Sequence, residues 1–208
     1  MEPAKGYRDR VTRTLHTLPV PVIGQASSFS CGNTCLAAVV QYFGKPYSPA
    51  ELAVLANTTR EGTDHAALIA GAVATGATVF AKAKGSLGEL TAFVSRGLPV
   101  IVGWWSMGPG DHHFDKAWTL GQRKQRDCGH FSVIRGTTPG GFLVMDPQDG
   151  EDERTIGYCE KPAKAFETVW YDTDGPAYEK VSRWYMVLNY AGRQFAKEHG
   201  GEDHRPRR

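Results

Sequence analysis

Apolar residues recur at helical spacing in the first half of the chain. In the segment SFSCGNTCLAAVVQYFG they include Leu36, Val39 and Phe43, a stripe typical of a helix that packs one face against a core. Ser30 precedes this stripe as a candidate N-cap, and Gly44 follows it as a stop signal. The pattern therefore predicts a first helix that begins close to a cysteine.

Capping residues predict three further helices. The predicted helices cover 48–58, 63–76 and 86–97, with N-caps at Ser48, Thr63 and Ser86. In the first of these, Pro49 occupies the first helical position and Glu51 completes a capping box.

The second half of the chain carries short apolar, β-branched runs separated by turn residues. Such runs are typical of strands, and they cover 98–105, 129–136, 141–146 and 184–190. The segment TTPGG joins the middle two as a hairpin turn. Because helices come first and mostly antiparallel strands follow, we expect an α+β fold with helices and sheet segregated. We place a single domain at 1–190 and a short helix with a flexible tail at 191–208.

Composition and charge narrow the classes of partner. The chain has 208 residues, enough for one domain with a real core, and a net charge of +2. This charge is too small to indicate a nucleic-acid partner. The start of the chain lacks the unbroken apolar run of an export signal, and no apolar stretch is long enough to cross a membrane. We therefore expect a cytoplasmic protein without nucleic-acid or membrane partners.

Four cysteines are present, namely Cys31, Cys35, Cys128 and Cys159. Free thiols are expected in a chain of this size without an export signal, and the paired CxxC motifs of structural zinc are absent. Two alternatives stay open: a zinc site on Cys31, Cys35, Cys128 and His130, and an inhibitory disulfide between Cys31 and Cys128. The histidines of DHHFD at 111–115 are expected to be solvated rather than metal ligands.

Cys31 and His130 are the candidates for nucleophilic chemistry. Cys31 stands at a predicted helix N-terminus, where unpaired N–H groups and the helix dipole favour a thiolate. The following Gly32 would let a substrate backbone come close. His130 begins a predicted strand and supplies the imidazole that a thiol nucleophile needs for proton transfer. Each residue also has a plain structural interpretation, as a packed cysteine or as a strand-edge histidine bonded to backbone.

Asp146 and Gln25 complete this set. A hairpin turning at Pro139–Gly140 places His130 and Asp146 symmetrically about position 138, so the carboxylate would orient the imidazole. An Asp-Pro turn explains Asp146 equally well. Gln25 lies six residues before Cys31, and its amide, with the Cys31 N–H, would bind the oxyanion formed in acyl transfer.

The ordered motifs Q-x5-CG-x2-C, S-x2-EL, GHFSVI-x-G and DP-x2-G resemble the bacteriocin-processing, double-glycine cysteine peptidases of the papain-like superfamily. The resemblance runs from Gln25 to Trp170. It implies a papain-like fold, with N-terminal helices packed on a mostly antiparallel sheet. It also implies roles for four residues: oxyanion binding for Gln25, nucleophile for Cys31, base for His130 and orientation for Asp146.

The same resemblance implies hydrolysis of a peptide bond, after Gly-Gly or other small residues, without a metal or organic cofactor. The partner would be a peptide or protein substrate, and the predicted substrate contacts are Gly32, Gly129 and Trp105. The long connection at 106–127 leads into the strand that carries His130 and is a candidate regulator of the site. Two alternatives remain: a non-catalytic peptide-binding module of the same fold, and a thiol deamidase or transglutaminase-type acyl-transferase.

Overall fold

The structure is a computed structural model that describes residues 16–106, 128–148, 159–174 and 179–206. Six helices are seen in this part of the chain. They are α1 (Cys31–Tyr42), α2 (Pro49–Leu55), α3 (His65–Ala74), α4 (Leu87–Ser95), α5 (Ala163–Val169) and α6 (Ala196–His199). The first four correspond to the helices predicted from the sequence and precede most of the strands.

The strands form one main antiparallel sheet. They are β1 (His16–Thr17), β2 (Thr78–Lys82), β3 (Val100–Ser106), β4 (Cys128–Thr138), β5 (Gly141–Met145), β6 (Cys159–Pro162), β7 (Tyr171–Asp174), β8 (Glu179–Ser182), β9 (Tyr185–Asn189) and β10 (Glu202–His204). The order across the sheet is β10-β2-β9-β3-β4-β5-β6, β1 pairs with β4, and β7 with β8 forms a separate two-stranded sheet. Helices and an antiparallel sheet confirm the predicted α+β class.

Helix α1 is buried on all sides rather than along one stripe. Every residue from Cys31 to Val40 is buried, as expected for a helix that is apolar all round. Ser30 stands at the N-cap position but does not cap the helix with its side chain. Its hydroxyl instead donates to the Ser27 carbonyl oxygen at 3.0 Å. Tertiary packing therefore holds the start of α1 in place.

Local capping places the next three helices. The capping boxes begun by Ser48 and Ser86 are both present, as predicted. Helix α3 differs, because Asp64 caps it and Thr63 does not; aspartate is the better N-cap of the two. His65 is consequently the first residue of α3, and it is buried.

The C-terminal residues differ from the predicted flexible tail. Strand β10 pairs with β2, with Glu202 opposite Ala81, and β2 itself was not predicted from the sequence. The Asp203 carboxylate accepts hydrogen bonds from the backbone N–H groups of Phe195 and Ala196, at 3.0 and 3.1 Å. Residues 191–206 are therefore attached to the sheet. Pairing between strands this far apart in sequence leaves no local periodic signal.

Candidate active site

Cys31 and His130 meet at the N-terminus of α1. Cys31 is the first residue of this buried helix and is itself 7% exposed. The first N–H groups of a helix have no intrahelical acceptor, and that of Cys31 is one of them. The Cys31 thiol lies close enough to the His130 side chain to contribute to the raised pKa of that imidazole. Packing of α1 against β4 thus joins two residues that are 99 positions apart.

A short contact links His130 to Asp146. The distance from His130 Nε2 to Asp146 Oδ1 is 2.7 Å, and each side chain is at most 1% exposed. Since Nε2 faces Asp146, Nδ1 is the ring nitrogen left for the thiol. Burial alone would lower the pKa of His130, but the charge and hydrogen bond of Asp146, with a contribution from Cys31, raise that pKa well above its ordinary value.

The hairpin that joins these two residues is not the symmetric one that we predicted. A bulge shifts the register of β4 and β5, so that Val133 lies opposite Met145. Continuing this register by one residue sets Asp146 opposite Ser132. Residues 130 and 132 share one face of the strand, and Asp146 therefore reaches His130 diagonally. The pairing of Thr138 with Gly141 would, without the bulge, set Asp146 opposite Val133, on the other face of the strand from His130. The one-residue shift of the bulge returns Asp146 to the face of His130.

Trp104 and Ser132 support the carboxylate. Ser132 Oγ donates to Asp146 Oδ2 at 3.3 Å and accepts from Trp104 Nε1 at 2.9 Å. The Trp104 ring also stands edge-on to His130, with ring centres 5.3 Å apart. Neither residue is predicted from the sequence to belong to the site, because only the pairing of β3 with β4 brings Trp104 opposite His130.

The backbone of Gln25 lies close to the residue that follows Asp146. Its N–H donates to the Pro147 carbonyl oxygen at 2.7 Å. Its side-chain nitrogen donates to the Ser27 carbonyl oxygen at 2.8 Å, so one of the two amide hydrogens is used locally. The second hydrogen is the donor that an oxyanion site requires. No hydrogen bond joins Gln25 to Cys31 among those seen in the described residues, and the predicted role stays a prediction.

Cys35, one helical turn after Cys31, is a different kind of thiol. It is fully buried, and its sulfur donates to the Phe131 carbonyl oxygen at 3.2 Å. Burial, with the negative charges of Cys31 and Asp146, raises the pKa of Cys35 well above its ordinary value. Cys35 is therefore held as a neutral thiol.

The three predicted substrate contacts all have packing partners. A Cβ at Gly32 would lie 3.2 Å from both Thr63 and Phe131, which explains the glycine without a substrate. Gly129 leaves room for the Asp172 carboxylate. Trp105, 9% exposed, stacks on Tyr171 with ring centres 5.6 Å apart. The substrate contacts of these residues stay predictions.

Several sequence-based hypotheses fall outside the described residues. They concern the connection at 107–127 with its histidines at 111–115, and the side chain of Cys128. The zinc and disulfide alternatives that involve Cys128 are therefore untested. In the described parts of the chain, no group of three or more His, Cys, Asp or Glu side chains is arranged to hold a metal. The helices described there also include none long and apolar enough to span a bilayer.

The sequence profile of the Peptidase_C39 like family matches residues 17–178. No curated protein sequence matches the chain.

Solved structures of similar fold include the peptidase domain of Streptococcus ComA, a bi-functional ABC transporter of a quorum-sensing pathway. It is 18% identical, with a TM-score of 0.56, over 81% of this chain and 97% of that chain. The double-glycine-motif protease of an AMS/PCAT transporter, in complex with a leader peptide, is 18% identical, with a TM-score of 0.57, over 84% and 94%.

A putative C39-like peptidase from Bacillus anthracis is 18% identical, with a TM-score of 0.59, over 85% of this chain and 97% of that chain. At this identity the structural likeness shows the fold, a papain-like peptidase fold, and the profile match shows the family. The chain belongs to the Peptidase_C39 like family.

Proposed function

We propose that the protein is a cysteine peptidase with Cys31 as its nucleophile. The observation that carries this proposal is the buried His130–Asp146 contact of 2.7 Å. The Cys31 thiol lies close enough to this imidazole to contribute to its raised pKa. A nucleophile, a base and a group that orients the base are the parts that thiol acyl transfer needs.

In the proposed reaction, His130 takes the thiol proton and Cys31 attacks the carbonyl carbon of a peptide bond. The oxyanion is held by the Cys31 N–H at the helix start and by the free amide hydrogen of Gln25. The imidazolium then gives its proton to the leaving amine, which leaves a thioester on Cys31. Water, deprotonated by His130, hydrolyses the thioester and returns the free thiol. Asp146 keeps Nε2 hydrogen-bonded throughout and stabilises the imidazolium.

We propose a peptide or protein as the substrate, cleaved after Gly-Gly or other small residues. Two observations support this: the family match, and the structural neighbour that was solved with a leader peptide. No residue of the described site requires a metal or an organic cofactor for the steps above. The cytoplasmic location expected from the sequence also stays a proposal.

The first test is the pH dependence of Cys31 alkylation by iodoacetamide, followed by peptide mass mapping. We expect wild type to react well below pH 8.5, about where ordinary thiols ionise, and His130→Gln to lose this reactivity. Cys35→Ser is the matched control and should react like wild type. An ordinary thiol profile for wild type would contradict the proposal and favour the non-catalytic binding module.

The second test is turnover of synthetic peptides. Cleavage after Gly-Gly, abolished by Cys31→Ser and retained by Cys35→Ser, is the expected result. Release of ammonia from glutamine side chains, or amine incorporation without cleavage, would instead identify a deamidase or an acyl-transferase.

A further inference from the structure

A second buried histidine–aspartate cluster lies outside the candidate active site. His65 Nε2 is 3.5 Å from Asp172 Oδ2, and His65 Nδ1 is 3.3 Å from Asp174 Oδ2. The imidazole lies flat on the Trp184 indole, with ring centres 4.0 Å apart. Burying a charged group costs free energy unless the group is paired. We therefore look for a role of this cluster other than packing.

Asp172 occupies room that two glycines leave open. A Cβ at Gly129 would overlap Asp172 Oδ1, and a Cβ at Gly103 would lie 2.8 Å from Asp172 Oδ2. Glycine inside a strand often marks a close approach of another group to the backbone. The carboxylate therefore lies directly on the backbones of β3 and β4, where any other residue would exclude it.

The position of this contact relates it to the candidate active site. Gly129 immediately precedes His130 on β4, and Gly103 lies opposite Phe131, the residue after His130. Neighbouring residues of a strand face opposite sides of the sheet, so Asp172 lies on the face away from the imidazole. Asp172 Oδ1 lies against Gly129 of β4, and Asp172 Oδ2 lies against Gly103 of β3. The carboxylate thus contacts the paired strands on both sides of position 130.

His65 holds Asp172 in this place. Burial alone would lower the pKa of His65, but the neighbouring carboxylates of Asp172 and Asp174 outweigh this effect and raise that pKa. The two carboxylates differ in their surroundings, because the Asp172 side chain is 4% exposed and the Asp174 side chain 27%. Of the two carboxylates, that of Asp172 supplies the nearest atoms to Gly129 and to Gly103.

We propose that Asp172, held by His65, is a positioning residue for His130: its carboxylate keeps the β3–β4 backbone at Gly103 and Gly129 in the arrangement that presents the imidazole to Cys31. This inference rests on the proposed function. Misplacement of a reacting group by about 1 Å can lower a rate about a hundredfold, so a backbone shift beside His130 has a measurable effect.

The test compares the pH profile of Cys31 alkylation in wild type, Asp172→Ala, Asp172→Asn and Asp174→Ala. Asp172→Ala removes the carboxylate from the glycines, while Asp172→Asn keeps its shape. Asp174→Ala is the matched control, since it removes a carboxylate from His65 but leaves the Asp172 oxygens in place at the glycines. Thermal unfolding of each variant reports its stability separately.

We expect Asp172→Ala to lower the alkylation rate near pH 6 by about tenfold or more, Asp172→Asn to restore it to within about threefold of wild type, and Asp174→Ala to stay within about twofold. Equal effects of Asp172→Ala and Asp174→Ala, or an unchanged Asp172→Ala, would overturn the positioning role while leaving the proposed function intact. A wild type without an activated thiol would overturn both.

If Asp172→Ala does not fold, Gly129→Ala provides the second measurement. Its added methyl group overlaps the Asp172 carboxylate, so it should slow Cys31 alkylation. In the double variant Gly129→Ala/Asp172→Ala the methyl group takes the room of the carboxylate. We expect the double variant to react faster than Gly129→Ala alone. An equal or slower double variant would overturn the proposal.

Discussion

His130 Nε2 lies 2.7 Å from Asp146 Oδ1, with both side chains almost completely removed from water. In such surroundings a carboxylate strongly stabilises a neighbouring imidazolium, which is why the pKa of His130 is raised despite its burial. We therefore expect His130 to be protonated at neutral pH in the resting protein, ready to pair with a thiolate on Cys31.

Asp146→Asn should remove this stabilisation while keeping the shape of the side chain. The pKa of His130 then falls, and we expect peptide cleavage to drop by at least about a hundredfold. Cys31 alkylation near neutral pH should slow in parallel, since both depend on the ion pair. Measuring both rates across pH checks the prediction, and an unchanged alkylation profile in a folded Asp146→Asn protein would contradict it.

Gln25→Ala separates oxyanion binding from thiol activation. Attack on a peptide carbonyl creates an oxyanion, whereas alkylation by iodoacetamide does not. We therefore expect the variant to lower kcat by about a hundredfold to a thousandfold and to leave the alkylation profile of Cys31 like that of wild type. If both rates fall equally, Gln25 acts through the structure of the site and not through the oxyanion.

The His65 cluster should make stability depend on pH. The groups that face its imidazole are Asp172 and Asp174. Because the pKa of His65 is raised on folding, its stabilising contribution is complete below its unfolded pKa of about 6.5 and is lost as pH rises through the folded pKa.

We expect the difference in free energy of unfolding between wild type and His65→Gln to be largest below about pH 6.5 and to shrink at higher pH. Urea unfolding at a series of pH values measures this difference. A difference that is constant across the series would mean that the imidazole acts only through packing on Trp184.

Asp203→Ala should loosen the C-terminal strand without affecting the chemistry. Two backbone hydrogen bonds to the carboxylate are lost, each worth about 1 kcal/mol or more, so the free energy of unfolding should fall by about 2 kcal/mol. Glu202→Ala, an exposed change on the same strand, is the control and should leave stability nearly unchanged. Slower Cys31 alkylation in Asp203→Ala would show an unexpected coupling between β10 and the site.

The features that the sequence predicted correctly are those determined by short-range interactions. Ser48 and Ser86 begin helices because each bonds to backbone and to a glutamate three residues away. The apolar runs of β3, β4, β5 and β9 form strands where expected. The sequence also predicts Cys31, His130 and Asp146 as candidate site residues, because thiol chemistry needs these residue types and because they stand in the order of the family motifs.

Tertiary structure decided the remainder. The register that sets Asp146 beside His130 depends on a bulge in the β4–β5 pairing, which residue types do not specify. The place of Asp172 against Gly129, like the pairing of β10 with β2, joins segments far apart in the chain. Capping and periodicity act over a few residues, so a sequence displays them directly. Packing between distant segments depends on how all of them fit together, and therefore only the folded chain reveals it.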